Sequence, residues 1–453
     1  MSTDAPETAR LQYFGPNWFA SVMGTGIVAT AAASLPVHLP GLRGFAEGVW
    51  VIATALLVLL IVAVSVQWVR HPTVARSQVR NPQMTHFYGA APMALMTVGL
   101  GALLLGKDLV GTRLAVDLDW VLWTAGTIGG LFTAMTIPFL MFTQLEVGPD
   151  AAFGGWLMPV VPPMVSAASG ALLLQQLPPG TARTTMFYGC FAMFGLSLIA
   201  ALIIITMIWS RLAHYGTSGS ARVPTLWIVL GPLGQGITAA GLLGSVAALA
   251  VKPEIASGMD VFAVLFGVPV WGFAVLWIAL ATALTVRTMR RGMPFALTWW
   301  SLTFPVGTYV TGTTQLAVHT DLPAFKVAAV IAYAGLLSTW LLVAVRTARG
   351  SLRGNLLQPP PSAGPVRARE VAKQELNQYN QEKIQQLSEA QLKVQTLLGE
   401  RFLGLADQRV FRAALIDRHR QLRDSGGAEG LVCRHRAFIR LLNAALQGDG
   451  REQ

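Results

Sequence analysis

The chain has 453 residues, of which 53% are hydrophobic and only 12% charged, with a formal net charge of +11 at neutral pH. A globular chain carries about a quarter charged residues, so this composition excludes an ordinary soluble domain and points to an all-α polytopic integral membrane protein. The basic residues are spread thinly over polar connections, a pattern of membrane topology that argues against a nucleic-acid partner.

At the N-terminus, MSTDAPETAR places Asp4 and Glu7 where a signal peptide would carry positive charge, so the first apolar run is expected to stay as a span. A spanning helix needs about 20 mostly apolar residues. Ten stretches qualify, at approximately 15–35, 46–69, 85–106, 118–144, 155–176, 184–210, 223–250, 260–286, 294–318 and 323–346. Short connections with Pro, Gly or Arg separate them, as helical hairpins require. With the N-terminus in the cytoplasm, the inside segments hold Arg10, Arg70, Arg76, Arg80, Arg211, Arg222, Arg287, Arg290, Arg291, Arg346, Arg349 and Arg353. The outside segments hold only Arg43, Lys107, Arg113, Arg183, Lys252 and Lys326. This bias predicts a multi-pass protein of the cytoplasmic membrane with both termini inside.

Odd-numbered stretches differ from even ones. Pro16, Pro92, the Pro159/Pro162/Pro163 cluster, Pro232 and Pro305 lie in the odd stretches, while the second and sixth have no proline; Pro138 in the fourth and Pro269 in the eighth break the rule. Narrow polar stripes also recur in odd stretches: Asn17, Ser21 and Thr25 in the first, Ser166 and Ser169 in the fifth, Gln235, Thr238 and Ser245 in the seventh. Any single stripe fits close helix packing equally well. Five in alternation suggest repeated hairpins with an inner ring of pore-lining helices.

The ninth stretch, FALTWWSLTFPVGTYVTGTTQLAVH, carries the fullest stripe. Phe304, Thr308, Thr311 and Gln315 fall on one helical face, which suits the wall of a narrow water-filled path because lipid offers hydroxyls and amides no partner. Pro305 removes an amide donor and is expected to loosen the helix beside the Phe304 ring. Phe304 therefore reads as a plug, and Trp299 and Trp300 as packing or interface anchors.

The chemistry that is absent narrows the function. No Asp, Glu, Lys or Arg lies centrally in any of the ten stretches, which argues against a carboxylate proton relay, a sodium-coupled pump or a bidentate Arg site for a dianion. Cys190 and Cys433 are the only cysteines, and no cluster with metal-ligand, cofactor or catalytic character is visible, so neither an enzyme nor a metal site is expected. His86 opens the third stretch, where an ordinary hydrogen-bonded residue is the commoner reading and a pH-dependent mouth charge, near the unperturbed pKa of about 6.5, the sharper one. Helix N-termini, freed amides and hydroxyl hydrogens favour anions without a buried charge, so a small anionic substrate is expected, bound weakly and released easily.

Residues 1–14 then form an N-terminal cytoplasmic segment, 15–348 the transport domain, 349–365 a linker stiffened by Pro359, Pro360 and Pro361, and 366–453 a cytoplasmic helical region. In that tail, Ile384, Leu387, Gln391, Val394 and Leu398 keep helical spacing for barely two heptads, too few for a sustained coiled coil. His419 and His435 sit among arginines on what reads as a solvated face, and the tail's partner is not legible.

The segments YFGPNWFASVMGTGIVA at 13–29, NPQMTHFYGAAPMALMTVGLG at 81–101, WLMPVVPPMVSAASGALL at 156–173, LWIVLGPLGQG at 226–236 and WWSLTFPVGTYV at 299–310 resemble the tellurite-resistance/dicarboxylate transporter family. That family includes fungal malate permeases, sulfite efflux pumps and plant slow anion channels. The resemblance implies ten helices as five hairpins around a central pore, odd helices lining it, a homotrimer in membrane lipid, and occlusion by the ninth-stretch phenylalanine, here Phe304. It makes C4-dicarboxylates such as malate the first substrate expected, with sulfite or another inorganic anion as the alternative.

Overall fold

The computed structural model describes residues 14–356, apart from positions 38, 146, 218 and 355. The expected tail helices, with His419 and His435, lie outside the described residues. Among the described residues the secondary structure is entirely helical, and seven helical stretches are long and apolar enough to cross a membrane.

Ten principal helices alternate between two kinds. The odd ones are short: α1 (Phe19–Ser34), α3 (Ala90–Gly101), α5 (Pro162–Leu173), α7 (Leu230–Val246) and α9 (Phe304–Thr320). Each follows a 3₁₀ segment, respectively Pro16–Trp18, Thr85–Gly89, Gly154–Leu157, Val223–Val229 and Leu297–Leu302. The even ones are continuous and 29 to 37 residues long: α2 (Leu42–Arg70), α4 (Thr112–Thr143), α6 (Thr181–Tyr215), α8 (Pro253–Met289) and α10 (Pro323–Leu352). A fivefold repeat of "3₁₀ entry, short helix, long helix" is thus written into the backbone.

Packing follows the same alternation. α1 contacts α3, α3 contacts α5, α5 contacts α7, α7 contacts α9, and α9 returns to α1, so the five short helices close a ring. Each long helix lies against two successive ring members: α2 on α1 and α3, α4 on α3 and α5, α6 on α5 and α7, α8 on α7 and α9, α10 on α9 and α1. Burial separates the layers, since the apolar windows of Thr85–Val110 and Val223–Leu249 are 78% and 89% buried while those of the five long helices are 22–33% buried. The outer surface is an apolar belt, with residues such as Phe132, Met135, Ile199 and Leu265 exposed as a bilayer requires.

Two expectations need correction. The odd-stretch prolines do not interrupt helices at depth. Pro162 and Pro305 lie at the first or second helical position, and Pro92 and Pro232 in the first turn, where a missing N–H forfeits no intrahelical bond. Pro305 therefore starts α9 rather than loosening it. The fourth stretch also begins six residues earlier than its apolar run suggests, at Thr112, because Gly111 with φ 84° turns the chain immediately before it.

Candidate functional site

The first turns of the five inner helices meet around one small void. Its wall takes Ala20 and Met23 from α1, Phe87 and Met93 at the start of α3, Met158 and Val161 ahead of α5, Ile228, Gly231 and Pro232 around the start of α7, and Trp300, Ser301, Phe304 and Pro305 around the start of α9. The void measures about 30 Å³, above the roughly 10–15 Å³ that a cavity needs to admit a water. Phe304 is 5% exposed and forms part of its wall. No charged side chain reaches the lining.

Although the lining is apolar, its electrostatics are not neutral. An α-helix N-terminus carries roughly +0.5 of an elementary charge from aligned peptide dipoles, and five such ends face the same space. Low-dielectric walls strengthen that field. Such a field would disfavour a cation and favour an anion in this space, and no arginine is among the residues that line it.

Beyond the ring of Phe304, the polar stripe of α9 is turned toward α7. Thr308 Oγ1 donates to its own Pro305 carbonyl at 2.7 Å and lies 3.1 Å from the Leu230 carbonyl. Thr311 and Thr238 share a hydroxyl–hydroxyl bond of 2.7 Å, and Thr238 also reaches the Gly234 carbonyl at 2.9 Å. This contact depends on glycine: a Cβ on Gly234 would collide with the Thr308–Tyr309 peptide. Gln235 is buried on α7, and Gln315 Oε1 is buried with no hydrogen-bond partner, one turn further along α9. Thr308 and Thr311 of the predicted α9 stripe therefore bond into the seam between α9 and α7, where Thr238 meets them.

The remaining predicted residues divide. Ser21 Oγ donates to the Trp18 carbonyl at 2.7 Å and Ser169 Oγ to Val165 at 2.8 Å, both within their own helices. Asn17 lies half-buried in the first 3₁₀ segment. Thr25 and Ser166 are engaged by outer helices: Trp340 Nε1 of α10 donates to Thr25 Oγ1 at 3.2 Å, and Thr127 of α4 to Ser166 Oγ at 3.0 Å. Ser245 sits beside His319, whose ring also contacts Asp260 Oδ1 at 2.8 Å and the Gly241 carbonyl at 2.9 Å, tying α7, α8 and α9 together. His86 does not stand at an open mouth. It is 1% exposed, its ring edge-on to Phe153 at 5.7 Å and tilted against Trp156 at 6.0 Å, because the 3₁₀ segment of residues 85–89 packs against that of residues 154–157.

Sequence reasoning missed three features. Trp300 forms part of the void wall while its Nε1 donates to Thr347 of α10 at 3.0 Å, so it is more than an anchor. Met23, Met93 and Met158 converge on the void from three inner segments, which no linear spacing reveals. Asp119, near the start of α4, is 0% exposed with both carboxylate oxygens unpartnered, and a Cβ on Gly99 would lie 2.7 Å from Oδ1. Asp119 is the second residue of the 118–144 stretch, so the expectation of no central charge stands, but its complete burial was not foreseen. The signal was the spacing of Ala115, Asp119 and Gly126 along one buried face, hidden by the polar residues around them.

Residues 13–348 match the family described as voltage-dependent anion channel. An uncharacterised transporter of Methanocaldococcus jannaschii is 28% identical over 73% of this chain and 90% of its own length. A sulfite efflux pump of Trichophyton rubrum is 27% identical over 73% and 88%, and a malic acid transport protein of Schizosaccharomyces pombe 20% identical over 78% and 82%. With the match covering the whole ring of inner and outer helices, the chain belongs to the voltage-dependent anion channel family of membrane transporters and channels.

Proposed function

We propose that this protein conducts small anions across the cytoplasmic membrane through the centre of its inner ring, with Phe304 as the gate. The observation that carries the reading is one void of about 30 Å³ lined by the entries or first turns of all five inner helices and by the Phe304 ring. In this reading all ten principal helices span the bilayer as five hairpins, both termini face the cytoplasm as the arginine bias suggests, and the protein assembles as a homotrimer. Asn17, Ser21, Gln235, Thr238, Thr308, Thr311 and Gln315 supply the hydrogen-bonding groups of the path, while Thr25 and Ser166 hold outer helices in place.

C4-dicarboxylates such as malate are the first substrate class. Sulfite is the second reading, favoured by the higher identity to a sulfite efflux pump and by a void with room for one water. The test is uptake and efflux by purified protein in liposomes, with malate, sulfite, nitrate and chloride compared, with and without a proton gradient. Anion flux absent in protein-free vesicles is the expected result. Movement of none of the four anions, by protein shown to be folded and inserted, would end the proposal.

A further inference from the structure

We infer that Met23, Met93 and Met158 form an oxidation-sensitive modification site at the constriction, where two-electron oxidants convert thioethers to sulfoxides and wet the gate. The inference rests on the pore reading above for its effect on flux, but the preferred sites of oxidation can be measured without it.

Three of the inner segments each place one methionine on the same void of about 30 Å³. Their exposures are 2%, 1% and 6%. Buried methionine normally fills gaps in a core and stays inert. These three differ because they face a space with room for a small molecule, and hydrogen peroxide is little larger than water. Met96 and Met164 provide the contrast: both are 0% exposed on inner helices and neither lines the void.

The reaction balances with peroxide alone. A sulfur lone pair attacks one peroxide oxygen, the O–O bond breaks, a sulfoxide S–O bond forms, and the departing oxygen takes up the remaining proton to leave as water. Sulfur loses two electrons and peroxide gains them. The product carries a polar, strongly accepting oxygen where an apolar side chain stood. Its negative end suits a space faced by five helix N-termini, which would repel a cation but stabilise a sulfoxide oxygen. A constriction that closes by excluding water should fill once such an oxygen is added.

The experiment uses full-length protein in which Cys190→Ala and Cys433→Ser remove thiol chemistry. It is reconstituted in liposomes and exposed to hydrogen peroxide, with peptide mapping by mass spectrometry and nitrate flux read together. The expected result is that Met23, Met93 and Met158 gain one oxygen before Met96 and Met164 do, and that flux rises about tenfold, equivalent to about 1.4 kcal/mol of barrier. The Met23→Leu/Met93→Leu/Met158→Leu variant should show no rise. Because that triple variant could fold poorly, the three single Met→Leu variants are measured alongside, each expected to lose part of the rise. Oxidation no faster than at Met96 and Met164, or a rise that persists in the triple variant, would overturn the inference. Flux through Phe304→Ala is the separate control: no increase there, with preferential oxidation intact, counts against the pore and not against the modification site.

Discussion

Replacing Phe304 by Ala removes the ring from the wall of the void and should raise anion flux. An aromatic side chain of this kind buries roughly 150–250 Å², worth about 4–6 kcal/mol at about 25 cal/mol per Å². For an ion to pass, the ring must swing aside and give up about half of that contact, a cost of about 2–3 kcal/mol. At about 1.36 kcal/mol per factor of ten, the closed ring would hold flux down by roughly 30- to 160-fold. Removing it also enlarges the void from about 30 Å³ by on the order of 100 Å³, space for about three more waters at roughly 30 Å³ each. Single-channel or macroscopic current in planar bilayers, or nitrate efflux from liposomes, reads the effect. Size-exclusion and thermal unfolding in detergent confirm that the variant is folded. A well-folded Phe304→Ala protein with unchanged or smaller flux would refute the gate.

Other perturbations test the frame around that gate. Gly234→Val drives a side chain into the Thr308–Tyr309 backbone, and overpacking of this kind costs about 1–3 kcal/mol or more; a lower unfolding temperature and poor recovery of monodisperse protein are expected. Thr311→Val removes the 2.7 Å bond to Thr238, a loss of about 0.6–1 kcal/mol, which should appear as a small drop in unfolding temperature. Cysteine placed at Thr311 or Gln315 in a Phe304→Ala, cysteine-free background should react with a water-soluble thiol reagent, whereas cysteine at Thr25 or Ser166, turned to the outer helices, should not. Asp321 lies in the turn between α9 and α10, where the hydrogen bond from Lys326 Nζ, and then its charge, hold the carboxyl below the usual carboxylate range. Any stabilisation from the pair is present above the unfolded-state carboxylate pKa and lost as pH falls through the lowered folded value; because the group is fully exposed, Asp321→Asn is expected to leave the unfolding temperature unchanged at physiological salt.

Much of the architecture was legible because the bilayer simplifies the code. Each of the ten apolar stretches contains a helix, seven of the described helical stretches are long and apolar enough to span, and proline with small polar residues marks the buried helices, since a helix buried on every side needs close-packing and hydrogen-bonding residues that a lipid-facing helix lacks. The roles of single hydroxyls were less legible. Thr25 and Thr311 have the same side chain and a similar setting in sequence, yet one meets Trp340 of an outer helix and the other Thr238 of an inner one. A helical face is about 100° wide, and neighbouring residues on it are directed to different partners only by how the helices are rotated against each other. Asp119 was missed for a different reason. Hydropathy averages over a window, and with Asp117 two residues away nothing in the sequence says which of the two carboxyls turns into the small-residue face that α4 packs on α3. His86 was misplaced because the 3₁₀ entry folds its ring under Phe153 and Trp156, a tertiary contact between segments nearly seventy residues apart.

The absence of an arginine from the constriction and the presence of five helix starts are two sides of one design. A guanidinium at the void would bind an anion through directed, charge-assisted hydrogen bonds and release it slowly. Distributed helix ends supply a comparable sign of potential with no directed bond, so the field falls away smoothly as an ion leaves the first turns. Each inner α-helix is preceded by a 3₁₀ segment, and residues from all five of these entries or first turns line the same void. The long outer helices carry the contact with lipid, which leaves the inner helices free to be short, glycine-rich and closely spaced. In the proposed conduction path, rate would be set by whether the apolar lining is wet and the Phe304 ring displaced rather than by affinity. For that reason conservative changes at the lining methionines and at Phe304 should move flux far more than they move substrate half-saturation.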